Sequence, residues 1–447
     1  MVWLLVCCAS ALLYTTARAQ NDVLGLADGF ATFNTPSFSF SIVKDSQIAY
    51  SLRPNDETST FDFLPYDVMS KRDANGQHHL GDITFRARVA NTSAWQDIDS
   101  STARSNVVAL PVTGNTLAAA NLAPTLPSNS LLNITRRWVV TDDHLQLLFD
   151  VENSQSSPVE IGSLGAPLEF NNVGLKVPSF PRRRLTILQI FTDRTAADTN
   201  YNCSLFDPYI GQDAGFVQVT PLLGTLPPLV VTPVGKSPLE GWRFLPEDTS
   251  ADPFYQSQTF EGLYEWQFHT LAYAENEWSA VVPWNAATSV TLQPGESRTY
   301  GLQFDLAPSI RQIEDTLQSL ERPVAVGIPG YILPQDQIGK LFLSFGSAVQ
   351  TMSVSPAGAL TFAKNSDSVN ASWVGYDITP KTWGRSRLTI NYADGTIQTV
   401  HYYVTKAATQ VISDLGNFLT TNQWFKDRKS TRLNSSHSGE SRMPSSA

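Results

Sequence analysis

Cysteine is scarce in this chain: Cys7, Cys8 and Cys203 are the only three in 447 residues. That is too few for a disulfide-dense scaffold or a cysteine-ligated zinc site. Charge is sparse too, at 16% Asp, Glu, Lys and Arg, where about a quarter is usual. The balance is acidic, with a net charge of -10. A nucleic-acid partner is therefore not expected, because such binders need a basic footprint to displace counterions. No apolar run reaches the roughly 18 residues that a membrane span requires. The chain lacks G-x-S-x-G, H-E-x-x-H, G-x-G-x-x-G and a phosphate loop, so no serine elbow, zinc helix or nucleotide cradle is supported. No cofactor and no metal are expected. The 6 histidines are scattered except for His78-His79, which follows the turn signal Asp73-Ala74-Asn75-Gly76. That pair reads as an exposed loop, since adjacent side chains on extended backbone point apart.

What is present begins with two unusual ends. Residues 2–13 are a short apolar run followed by Ala17-Arg18-Ala19, the pattern of a secretory signal cleaved after Ala19, which predicts an extracellular protein. Residues 428–447 contain seven serines, four basic residues and one acidic residue. This tail has no periodicity and too little apolar surface to pack. It resembles translated adapter sequence, so the native chain is expected to continue beyond Asp427. Cys203 is then the single mature thiol, either buried or paired with a cysteine elsewhere.

Between the ends, short alternating runs are separated by Pro, Gly, Asn and Asp. Phe38 to Ile42 alternates, as do Leu145, Leu147, Phe149 and Val151, and Thr141-Asp142-Asp143 turns the chain between two such runs. Alternation places one face on a core and the other towards water. The expected fold is mainly β: a large antiparallel supersandwich over 20–307, a linker helix over 308–327 and a small immunoglobulin-like β-sandwich over 328–405. Ser309 and Gln312 suggest a capping box for the linker helix. Leu388, Ile390 and Tyr392, the turn Asp394-Gly395, and Val400, Tyr402 and Val404 read as a hairpin. Residues 406–427 suggest a connector helix.

The segment 242–284 carries eleven aromatics. Aromatic rings stack on sugar faces and also fill β-cores. Trp242, Tyr255, Trp266 and Trp278 are the carbohydrate-contact candidates. Phe260, Tyr264, Trp266 and Phe268 share one face of a strand and read as core, while Glu261, Glu265, Gln267 and His269 share the other, which is expected to be solvated. Carboxylates in this segment raise the question of glycosidic chemistry. Glu261 and Glu265 would stand roughly 13 Å apart on a strand, too far for a glycosidase pair. Glu275 and Glu277, roughly 6.7 Å apart on a strand, fit the inverting distance but leave no room for a sugar between them. Sequons at Asn91, Asn133, Asn202 and Asn370 fit a secreted glycoprotein.

Five stretches carry a resemblance. They are 207–215 (DPYIGQDAG), 257–266 (SQTFEGLYEW), 272–278 (AYAENEW), 328–334 (IPGYILP) and Trp383-Gly384-Arg385. In these the chain resembles DUF5695, a family of secreted proteins common in filamentous fungi, over about 25–427. The resemblance implies a glycoside hydrolase-like protein of six-hairpin type. Its fold would be a supersandwich, a small β domain and a C-terminal (α/α)6 barrel, with the barrel missing here. The implied partners are a polysaccharide or oligosaccharide and that barrel. No catalytic residue transfers. The resulting expectation is the non-catalytic β region of a secreted polysaccharide-active protein. The alternatives are a stand-alone carbohydrate-binding or wall-associated module, and a polysaccharide lyase scaffold.

Overall fold

A computed structural model describes residues 22–55, 60–66, 69–73, 75–92, 94–171, 201, 203–245, 263–365, 372–426 and 431–433. The signal segment, Tyr255, Glu261, Asn202, Asn370 and most of the serine-rich tail lie outside the described residues. The chain divides into two compact units, Met1–Thr316 and Leu317–Ala447, and is mainly β in both.

In the first unit, eight strands form one antiparallel sheet. Their order is Ser204–Tyr209, Phe216–Pro221, Leu229–Val234, Ser297–Leu306, His144–Asn153, Leu132–Thr141, Thr116–Asn121 and Val108–Ala109. Its central hairpin follows directly from the sequence. Leu145, Leu147, Phe149 and Val151 are all buried, and the strands are joined through Asp142 and Asp143 at φ 49 and 70. A two-residue hairpin turn of this hand needs positive φ at both positions, which Asp tolerates.

A second sheet runs Gly241–Leu245, Leu263–His269, Val159–Leu168, Thr84–Val89, Gln96–Asp99, and Val290–Leu292 adds to the Val159 end. Phe85, Ala87, Ile161, Leu164, Ala166, Trp266 and Phe268 from this sheet share one hydrophobic core with Leu147, Phe149, Leu302 and Phe304 from the first. A three-stranded sheet, Phe30–Asn34, Phe38–Val43 and Ala49–Pro54, contributes Phe38, Phe40 and Leu52 to the same core.

The strand Leu263–His269 departs from expectation. Trp266 and Phe268 are buried as anticipated, but Glu265, Gln267 and His269 on the opposite face are buried as well. The reason is a cover: the chain leaves this strand at Thr270 and lays a short helix, Leu271–Glu275, beside the central strand Val159–Leu168. The histidine pair is a second correction. His78 and His79 are buried, not in an exposed loop. His78 Nε2 bonds Asp99 at 2.6 Å, and His79 Nδ1 meets Glu169 at 3.1 Å. Acidic partners distant in sequence hold both rings inside.

In the second unit, the sheet Val324–Ile328, Gly339–Ser344, Val374–Pro380, Leu360–Lys364 faces the sheet Ile332–Pro334, Ile397–Thr405, Gly384–Tyr392, Val349–Ser355 across one core built from both. The hairpin turning at Asp394-Gly395 forms, with Gly395 at φ 84. The linker helix is shorter than expected. A 3-10 turn, Ile310–Gln312, leads into Ile313–Ser319, and Val324–Ile328 is an edge strand. Ser309 does not cap the backbone; its hydroxyl meets the Gln312 side chain at 2.9 Å. The terminal helix is Ala408–Thr421, and the short strand Thr431–Leu433 of the tail pairs with Trp424–Lys426, so this part of the tail is not structureless.

Candidate functional site

The outer face of the six-stranded sheet gathers a group of paired charges and aromatic rings. The run Thr84-Phe85-Arg86-Ala87-Arg88 alternates, so Phe85 and Ala87 enter the core while Thr84, Arg86 and Arg88 face outward. Two strands away in the sheet, Glu265 and Gln267 point the same way, and on the next strand out Arg243 stands directly opposite Glu265 in register. The central strand presents Gly162 and Gly165 to this face. A Cβ at Gly162 would collide with the Trp95 indole, and one at Gly165 with the Gln267 amide and the Glu265 carboxylate. Two absent side chains therefore make the room in which these groups sit.

Glu240 fixes the covering segment. Its carboxylate accepts the Thr270 hydroxyl at 2.5 Å, the Thr288 amide at 2.9 Å and the Thr288 hydroxyl at 2.5 Å. Both ends of the 270–288 excursion are thus tied to one buried group. Burial raises the Glu240 pKa, with the hydrogen bonds opposing. His269 is held alongside, with Nδ1 at 2.8 Å from Thr288 Oγ1 and Nε2 at 2.9 Å from the Tyr300 hydroxyl. Burial, aided by Arg298, pulls its pKa down to about 3, so the ring is neutral.

Above the sheet, the charges alternate. Arg86 Nη1 and Nη2 donate to Glu277 at 2.8 and 2.6 Å, and its Nε donates to Asp97 at 3.0 Å. Arg88 donates to Glu160 at 2.8 Å and to Glu275 at 3.3 Å, and lies 3.8 Å from the centre of the Trp95 ring. The Trp95 Nε1–H donates to Glu275 at 3.0 Å. Tyr273 receives Arg86 at 4.4 Å and Arg243 at 4.7 Å from its ring centre, a double cation–π contact. Next to it opens a shallow, mainly polar cleft of about 380 Å³ lined by Arg86, Ala94, Trp95, Asp97, Asn276 and Glu277.

The structure brings Glu265, Glu275 and Glu277 to one face, each within reach of an arginine. Glu265 is fully buried and accepts from Thr84, Arg243 and Gln267. Glu275 ends the short helix and Glu277 lies in the turn after it, so the strand spacing assumed for them does not hold. The Arg86 hydrogen bond lowers the Glu277 pKa, against a smaller opposing effect of burial. A glycosidic general acid needs the reverse.

Among the aromatic candidates, Trp266 is fully buried and donates to the Pro238 carbonyl at 3.0 Å. Trp242 stacks on Tyr264 with ring centres 5.5 Å apart, and Trp278 stacks on Tyr273 at 5.0 Å. Asn91 is exposed at φ 67, whereas the Asn133 amide bonds Asn121 and Glu152. The described residues contain no cluster of three or more His, Cys, Asp or Glu able to hold a metal, and no helix long and apolar enough to cross a membrane. Sequence reading missed Arg86, Arg88, Arg243, Trp95, Gly162 and Gly165. The two outward arginines of an alternating strand, and glycines in the strand Val159–Leu168, were the available signals.

A family model described as a family of unknown function, DUF5695, matches residues 41–435. The chain belongs to this family, and the match runs past Asp427, where the resemblance was expected to stop. No curated protein matches. Among solved structures, a polysaccharide lyase aligns over 90% of this chain with a TM-score of 0.62 and 10% identity. The chain spans about half of that protein, 51% of its length. A putative aldose 1-epimerase from Escherichia coli K12 aligns over 62% of this chain and 98% of its own, with a TM-score of 0.33 and 10% identity. A galactose mutarotase-like protein from Lactobacillus casei aligns over 62% and 100%, with a TM-score of 0.32 and 12% identity.

Proposed function

We propose that this chain is the non-catalytic β region of a larger secreted, glycoside hydrolase-like protein that acts on polysaccharide, and that it contacts glycan through the Arg86–Trp95 cleft. The observation that carries the reading is the likeness to a polysaccharide lyase over nine-tenths of the chain. The cleft supports it with an indole, an amide and carboxylates at its wall, groups suited to sugar faces and hydroxyls. The arginine-paired state of Glu265, Glu275 and Glu277 supports a binding role over a cleaving one. The apolar 2–13 run and Ala17-Arg18-Ala19 support secretion. A lyase parent is the second reading, favoured by the described activity of that solved neighbour.

The test is retention of the purified chain on a panel of neutral and acidic polysaccharides, with reducing ends and ultraviolet-absorbing unsaturated products monitored in parallel. Binding that weakens in Trp95→Ala, without product release, is expected. Product release by this chain that disappears in Glu277→Gln would overturn the reading.

A further inference from the structure

The outer face of one sheet in the second unit carries two arginines and a histidine, and its own strands supply no carboxylate. Those strands are Ile332–Pro334, Ile397–Thr405, Gly384–Tyr392 and Val349–Ser355. The whole chain carries -10, yet residues 317–421 hold seven Lys and Arg against six Asp and Glu.

Alternation sends Leu388, Ile390, Tyr392, Val400, Tyr402 and Val404 into the core, which puts Arg385, Arg387, His401 and Tyr403 on the other side. Register sets them in rows: Ile332, Tyr403 and Arg385 are cross-strand neighbours, and so are His401, Arg387 and Ser355. Arg385 and Arg387 stand about 6.8 Å apart along their strand. Burial lowers the Arg387 pKa, and the charge of Arg385 lowers it further, so the two guanidinium groups feel each other. Ile332 is 66% exposed, Tyr403 41% and Trp383 60%. Trp383 stands immediately before the arginine strand, with Lys406 Nζ 5.9 Å from its ring centre.

We propose that this face binds an anionic polysaccharide of the polyuronate class, with Arg385 and Arg387 taking sugar carboxylates and Tyr403 and Trp383 lying under sugar rings. The choice of a sugar polymer rests on the polysaccharide reading above; the choice of an anionic one rests on this face alone. Arginine suits carboxylate because its planar fork matches two oxygens, and aromatic rings suit the apolar C–H faces of pyranoses. Nucleic acid fits less well. Its phosphate density calls for many cations, whereas this face offers few on an acidic chain.

Affinity electrophoresis of the full chain through gels containing polygalacturonate, its fully methyl-esterified form or single-stranded DNA tests the proposal. Retardation by polygalacturonate is expected, weakening as salt is raised. Loss of one charge-assisted contact should reduce affinity roughly tenfold in Arg385→Ala, with partial recovery in Arg385→Lys. Arg385 is exposed, so the variant should fold. Tyr403→Ala should also weaken binding. The esterified polymer should bind at least roughly tenfold more weakly, by the same reasoning. Equal retardation by the esterified form, no effect of Arg385→Ala, or tighter binding to DNA would each overturn it. In a Trp95→Ala background, which removes the cleft contact, Arg385→Ala should still cut polygalacturonate retardation roughly tenfold; no further loss in that background would place the binding in the cleft and overturn the proposal.

Discussion

Arg243 stands opposite Glu265 across two adjacent antiparallel strands and donates its Nε–H to that fully buried carboxylate. Removing one partner of a buried pair strands the other charge. Glu265→Ala should therefore cost about 3–5 kcal/mol, read from urea unfolding. The double variant Arg243→Met/Glu265→Leu should recover most of the loss. If the single variant is near neutral, the pair does not hold this sheet face together.

Trp266 fills the core between the two large sheets and has no exposed surface. Trp266→Ala should destabilise by about 3–5 kcal/mol, the range for deleting a buried large aromatic. Polysaccharide affinity per folded molecule should be unchanged. A fall in affinity with unaltered stability would instead make the indole a sugar contact.

Glu169 is buried beside Arg72 and His79, and burial pushes its pKa up to about 7 from an ordinary 4.5, with Arg72 opposing. The folded state therefore holds a proton that the unfolded chain releases. Its contribution to stability is complete below about pH 4.5 and declines as pH rises towards 7. Subtracting the stability–pH curve of Glu169→Gln from that of the parent should reveal this falling limb. A flat difference would mean that the carboxyl titrates normally.

His269 titrates with the opposite sign. Its folded pKa is depressed from 6.5 to about 3 by burial and by Arg298, so its contribution is present above pH 6.5 and is lost as pH falls from there towards 3. His78 moves the other way: burial opposes the shift, but the Asp99 hydrogen bond and charge raise its pKa. In histidine proton NMR, His269 should stay silent from pH 7 to 5 while His78 titrates above its ordinary 6.5. A His269 midpoint near 6.5 would refute the neutral, doubly bonded ring.

Gly165→Ala should cost about 1–3 kcal/mol by overpacking, because its Cβ would enter the space of Gln267 and Glu265. Gly346→Ala meets nothing within 4 Å and should stay within about 0.5 kcal/mol. Equal effects, compared by thermal melting, would show that the glycine at 165 is not needed for space.

The strands were legible where one face is apolar, as at Leu145–Val151 and Leu388–Val404, because period-two alternation is a local property of the chain. The candidate site was not. Arg86 and Glu277 are 191 residues apart, and Trp95 and Glu275 are 180 apart; no periodicity links positions so distant. The helix Leu271–Glu275 is only 5 residues long, too short to show a period, so Glu275 and Glu277 just after it passed for strand residues. At His78 and His79 the turn before them was readable, with Gly76 at φ 83. Their burial depends on Asp99 and Glu169, which only the fold brings near.

The contact between Gly162 and the indole at 95 carries an evolutionary consequence. One methyl group at position 162 would evict the ring that walls the cleft, so the two positions cannot drift independently. Relatives that have enlarged residue 162 should also have traded the tryptophan for something slimmer, and in them the Glu275 side chain, which here accepts the indole N–H, should have found a different donor.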